Sequence, residues 1–255
     1  MKLKPVFNYV FKYTLKGYLV CPAAILALIV ISIAAKLIWG IYTGFGGVQI
    51  ITVLYISVFA ISYYKEHFLF ATQNGVSRLT FFLGTLLGMF AASAVAAVGD
   101  TLVSAVGNLT EKGCDIWFAS AYEQVILARS HDANTVVIPA INGAVIIPSI
   151  NDYLKEILFN VSCYLAACAA GTFVGSMMYR LNNLLRIIVI VGTYLLIFLL
   201  LPYLSLNIFD KIYIALHWAC ENVWHFSAVL IPFAAVIGAA AYLFVRRAQI
   251  QERKS

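Results

Sequence analysis

The amino-acid sequence predicts an all-α polytopic membrane protein with six transmembrane helices, an N-terminal interfacial elbow helix and a structured outer loop. Three observations carry this. Of 255 residues, 63% are apolar and only 11% charged, against about a quarter charged in an average soluble domain. Apolar runs near the 20 or so residues needed to cross about 30 Å of hydrocarbon occur at 18–39, 47–64, 79–106, 154–178, 184–205 and 226–245. The basic residues are also sorted: Lys2, Lys4, Lys12, Lys16, Lys65, Arg78, Arg180, Arg186, Arg246, Arg247, Arg253 and Lys254 share one side of these spans. Only Lys36, Lys112, Arg129, Lys155 and Lys211 lie opposite, so both termini are expected in the cytoplasm.

The acids show the converse bias, and Trp39, Trp117, Trp218 and Trp224 all fall on the outer side, where an indole is half-buried with its N–H in water. The net charge of +6 therefore has a topological cause and implies no nucleic-acid partner.

The elements follow in chain order. Residues 4–16 place Phe7, Val10, Phe11 and Leu15 near one helical face flanked by Lys4, Lys12 and Lys16. This pattern predicts an amphipathic helix lying on the inner membrane surface, in contact with lipid; a basic extension that only sets topology is the alternative. Residues 65–80 form a cytoplasmic connection containing Gly75, for which a plain turn is the simpler reading. In the span after it, Gly84, Gly88, Ala92 and Ala96 line one face, as Ala167, Gly171 and Gly175 do in the fourth span, and small side chains let backbones approach.

Outside, 107–153 is too long for a simple connector. Within it, apolar runs around Asn142-Gly143 predict a small β-hairpin, with a re-entrant segment as the alternative. The fifth span, 184–205, is bulky, and 206–225 reads as short interfacial helices.

Chemistry is sparse. No G-x-x-x-x-G-K-[ST] run occurs, so this chain is expected to hold no ATP site of its own. Lys36 and Asp100 lie near outer span ends and are expected to reach water, leaving span centres almost free of charge, which weighs against an ion-coupled carrier. His217, Glu221 and His225 recur every four residues, a spacing that suits Zn²⁺ or a merely polar helix face; no metal is assigned. Cys21, Cys163 and Cys168 fall in spans, whereas Cys114 and Cys220 fall outside, where a disulfide is possible.

The run Ala71-Thr72-Gln73-Asn74-Gly75-Val76-Ser77-Arg78, leading into Phe81-Phe82-Leu83-Gly84, resembles the loop between spans 2 and 3 in bacterial ABC exporters of the type-2 permease family. With six spans and an N-terminal amphipathic helix, the resemblance covers the whole chain. The most similar members are small permeases exporting antimicrobial or cytolytic peptides, including lantibiotic-immunity and phenol-soluble-modulin exporters. The long outer loop after span 3 departs from many relatives, whose larger outer structure precedes span 6.

The resemblance implies a non-enzymatic permease in the bacterial cell membrane, paired with a second copy or a related permease. A separate ABC ATPase subunit would bind ATP and Mg²⁺. It further implies that Lys65, Glu66, Gln73, Asn74, Gly75, Ser77 and Arg78 couple to the ATPase, and that Phe7, Phe11 and Lys12 belong to the elbow helix. The expected substrate is an amphipathic peptide or lipid-like molecule, with Phe81, Phe82, Met89, Phe90, Asn160 and Tyr164 as candidates for lining its path. A stand-alone carrier or channel and an intramembrane metalloenzyme are the competing readings.

Overall fold

The structure, a computed structural model, describes residues 3–40, 44–47, 49–114, 117–122, 150–181, 218 and 222–246. The expected span at 184–205, the hairpin around Asn142-Gly143 and most of 206–225 lie outside the described residues. The elements are α1 (Leu3–Tyr18), α2 (Val20–Trp39), β1 (Gly44–Gly46), α3 (Gln49–Gln73), α4 (Arg78–Cys114), β2 (Trp117–Ala119), α5 (Ile150–Arg180) and α6 (Val223–Arg246). Among the described residues, four helical stretches are long and apolar enough to cross a membrane: Leu3–Trp39, Arg78–Leu109, Ile150–Tyr179 and Val223–Arg246. They contain the expected spans at 18–39, 79–106, 154–178 and 226–245, while α3 covers 49–64 and continues to Gln73.

The N-terminal helix differs from expectation. Helix α1 continues almost directly into α2, with the Leu19 N–H bonded to the Leu15 carbonyl at 3.2 Å and the Ala23 N–H to that of Leu19 at 3.4 Å. Instead of lying apart on a surface, α1 runs alongside α4 in the same direction, Val6 meeting Gly84, Val10 meeting Gly88 and Tyr18 meeting Gly99. The cause is shape. A Cβ at Gly84 would stand 2.6 Å from a Val6 methyl, and one at Gly88 would stand 2.9 Å from Val10 Cβ. Val10, Thr14 and Tyr18 are buried by this contact, while Lys4, Lys12 and Lys16 stay exposed. Phe7 and Phe11, stacked with centroids 6.0 Å apart, are half-buried.

The second row of small residues joins α5 to α3. A Cβ at Gly171 would lie 2.7 Å from both the Ala60 methyl and the Ser57 carbonyl, and one at Gly175 would lie 3.0 Å from the Ile61 carbonyl. Both small-residue faces read in the sequence are therefore helix contacts, closed by dispersion between near-touching backbones.

The two ends of the bundle differ in chemistry. At one end Tyr64, Phe68, Phe81 and Tyr179 pack edge-to-face or stacked, with centroids 5.1–6.1 Å apart, near the Arg78 guanidinium, which donates to the Arg246 carbonyl at 3.1 Å. At the other end β1 and β2 pair in parallel, Gly44 opposite Trp117 and Gly46 opposite Ala119. There Tyr122, Phe159, Val223 and Phe226 cluster. This strand pair was not foreseen; three residues on each side, one of them glycine-flanked, carry too little alternation to read.

Substituting Gly171→Leu should force α3 from α5 and destabilise the bundle by about 1–3 kcal/mol. A lower thermal unfolding midpoint of the detergent-purified protein would register this. Gly238→Ala, whose new Cβ would stand at an ordinary 3.4 Å from Leu86 Cδ1, should leave the midpoint unchanged or slightly higher.

Candidate functional site

Polar side chains buried among apolar helices must find partners within the protein, and here they form a seam through α1, α3, α4 and α5. Its centre is Asp100 of α4, 2% exposed. The Tyr18 hydroxyl of α1 donates to Asp100 Oδ1 at 2.9 Å and also lies 3.0 Å from the Ala96 carbonyl. The Tyr164 hydroxyl of α5 donates to Asp100 Oδ2. One carboxyl group thus joins three helices. The expectation that Asp100 reaches water is corrected: its position near a span end is covered by the two tyrosines, whose helices are distant in sequence.

One turn farther along α4, the Ser104 hydroxyl donates to the Asp100 carbonyl at 3.1 Å and accepts from Gln49 Nε2 at 2.8 Å. Gln49, at the start of α3, also donates to Glu156 Oε1 of α5 at 3.3 Å and accepts the Ala121 N–H at 2.8 Å. Its amide orientation is therefore fixed by three partners, and it ties the outer segment after β2 to the helices. Glu156 is 3% exposed, so a second carboxyl lies inside the bundle. It stands near the outer end of its expected span, so the expectation that span centres are almost free of charge is not changed by it.

Polar contacts continue between helices. Asn160 Nδ2 lies 3.4 Å from Thr101 Oγ1, and the Ser162 and Ser227 hydroxyls link α5 to α6 at 2.9 Å. Among the described residues, no group of three His, Cys, Asp or Glu side chains is placed to hold a metal ion. Of the suggested His217, Glu221 and His225 set only His225 is described, its ring stacked on Trp218 at 4.4 Å. The pairing of Cys114 with Cys220 falls outside the described side chains.

The residues expected to line a substrate path are spread along the bundle: Asn160 meets Thr101, twenty residues along α4 from Phe81. Phe81, Phe82, Met89, Asn160 and Tyr164 are buried within the chain, and Phe90 is half-buried. Tyr164 and Asn160 belong to the seam, whereas Phe81, Phe82 and Met89 belong to the apolar core.

The residues expected to couple to an ATPase sit at the α3–α4 hairpin. Residues 65–73 are the last turns of α3, so the connection proper is only 74–77. The Gly75 N–H bonds to the Thr72 carbonyl at 3.1 Å and the Val76 N–H to that of Ala71 at 3.0 Å, with Gly75 at φ +70°. This is a Schellman stop, which needs a left-handed residue and takes glycine for it. Ser77 then caps α4, its Oγ accepting the Thr80 N–H at 3.2 Å. Gln73, Asn74, Gly75 and Ser77 are exposed, and Arg78 is half-buried; the side chains of Lys65 and Glu66 are outside the description.

Replacing Tyr164 by Phe removes one donor from a buried carboxyl and should cost about 1–3 kcal/mol. Chemical unfolding monitored by circular dichroism would measure it, with Tyr242→Phe, which donates no described hydrogen bond, as the comparison expected to be near neutral.

The chain matches no known family model, no curated protein and no solved structure.

Proposed function

We propose that this chain is the membrane subunit of an ATP-driven exporter, a six-span permease of the bacterial cytoplasmic membrane working as a dimer. It moves amphipathic peptides or lipid-like molecules outward while a separate subunit hydrolyses ATP. The observation that carries this reading is the α3–α4 hairpin. Two helices reach into the bundle and end together in a capped, four-residue tip whose polar side chains are exposed, with Arg78 braced on the end of α6. A tip fixed at both helix ends moves with them as a rigid body, which is what a motor subunit must grip to transmit a closing motion. The basic residues at this end support its placement in the cytoplasm.

A stand-alone ion-coupled carrier is the second reading, favoured by the buried carboxyls of Asp100 and Glu156.

Affinity purification from native membranes separates the two. The exporter reading predicts an ATP-binding-cassette protein in near-equal amount, reduced at least tenfold by the tip variants Gln73→Ala and Arg78→Glu, with the permease itself still folded. Purification of intact permease with no such protein would favour the carrier.

A further inference from the structure

Helix α1 carries different chemistry on its two sides. Val10, Thr14 and Tyr18 are buried against α4, while Lys12 and Lys16 stand exposed on the opposite side of the helix. Val10 meets Gly88 and Tyr18 meets Gly99, so both lysines stand alongside the stretch of α4 between those glycines. From Leu79 to Gly99 that helix carries no charged residue. At about 1.5 Å per residue, Gly88 lies about 15 Å along α4 from Arg78, farther than a lysine stem extends. An ammonium facing hydrocarbon at that level is costly unless an anion or water meets it. Helix α1 contains no Asp or Glu, and among the described residues neither Lys12 nor Lys16 forms an ion pair.

The edge beside these lysines is aromatic. On α3, Tyr55, Phe59, Tyr63 and His67 recur every fourth residue, with successive ring centroids 5.8, 5.7 and 4.3 Å apart. From α1, the Tyr13 ring meets Phe59, Tyr63 and His67 at 5.6, 6.3 and 5.4 Å, and the Tyr9 ring meets His67 at 5.6 Å. Tyr9 and Tyr13 are nevertheless 47% and 45% exposed, held by α3 yet open outward. Lys12 follows Tyr9 by three residues and Lys16 follows Tyr13 by three, so each cation has a tyrosine as a neighbour on the helix surface. Half-exposed phenols beside cations suit the headgroup layer of a membrane. One turn farther, Leu19 and Val20 are exposed and apolar.

We propose that the edge between α1 and α3 binds an anionic phospholipid. Its phosphate lies between the ammonium groups of Lys12 and Lys16, which are four residues apart and share a face. The headgroup rests against the open sides of Tyr9 and Tyr13, and the acyl chains leave along Leu19 and Val20. The order along α1, cations and phenols followed by exposed apolar residues, is the order of charge and hydrocarbon in such a lipid. Its phosphate is drawn inward of its neighbours, so the bilayer thins beside α1. This goes beyond the exporter reading and stands without it, since it concerns one chain and no ATPase.

Native mass spectrometry of the full-length protein purified in detergent tests this. The probes are palmitoyl-oleoyl phosphatidylglycerol, the phosphatidylcholine with the same chains, and inorganic phosphate. One phosphatidylglycerol should bind at least about tenfold more tightly than phosphatidylcholine. Lys12→Gln with Lys16→Gln should remove that preference, and Lys12→Arg with Lys16→Arg should keep it. The charge-matched pair Lys4→Gln with Lys155→Gln should leave it in place. Equal binding of the two lipids would overturn the proposal. So would a preference that survives Lys12→Gln with Lys16→Gln, or one that is lost equally in the charge-matched pair. Displacement of the lipid by an equal concentration of inorganic phosphate would overturn it too, by marking a site for a free anion. Should the glutamine variant fail to fold, wild-type protein in phosphatidylcholine nanodiscs decides. Added phosphatidylglycerol should slow acylation of Lys12 and Lys16 by a water-soluble amine reagent at least about tenfold, whereas an unchanged rate, as for amines in a water-filled passage, would overturn the proposal.

Discussion

A carboxyl group buried among apolar helices, with no cation bonded to it among the described residues, constrains where those helices can go. In a low-dielectric interior each polar atom must be satisfied by the protein, and Tyr18 and Tyr164 reach Asp100 together to do so. That requirement brings α1 and α5 to the same level of α4. It also sets the depth of the α1 contact, because the hydroxyl of Tyr18 fixes one end of a row that runs back through Thr14 and Val10 to Val6.

The close helix contacts are what allow the seam to form. Tyr18 can bond Asp100 because α1 approaches α4 over Gly84 and Gly88, and Tyr164 can do so because α5 approaches α3 over Gly171 and Gly175. Small residues supply proximity and the buried polar groups supply register. Dispersion alone would tolerate sliding by a turn, whereas hydrogen bonds from two helices to one carboxyl do not. In the exporter reading this gives a stiff inner body whose exposed hairpin tip transmits force.

Much of the helical framework was legible in the sequence because apolar run length is a direct consequence of membrane thickness. Trp39 ends both the expected span and α2, and Gly75 sits at the turn where its positive φ is needed. The stripe Gly84, Gly88, Ala92 and Ala96 was legible for the same reason: four-residue spacing on a helix is a face. Its partner was missed. Val6, Val10, Thr14 and Tyr18 repeat at that same spacing, but three lysines and two phenylalanines on other faces made 4–16 read as a surface helix. Asp100 was misplaced because linear distance from a span end says nothing of which helices fold over it. Gln49 and Glu156 had no signal at all, since they meet only in three dimensions.

The claim on which the account most depends is that α1 lies along α4 instead of on the membrane surface. Paired cysteines at Val6 and Gly84, and separately at Val10 and Gly88, in native membranes test it by oxidative cross-linking and mass spectrometry of the joined peptides. The account predicts intramolecular disulfides at both pairs: the new Cβ atoms would start 2.9 Å from those of Val6 and Val10, so α1 has to back off by only about 1 Å to reach disulfide spacing. Folded protein in which neither pair cross-links would contradict it.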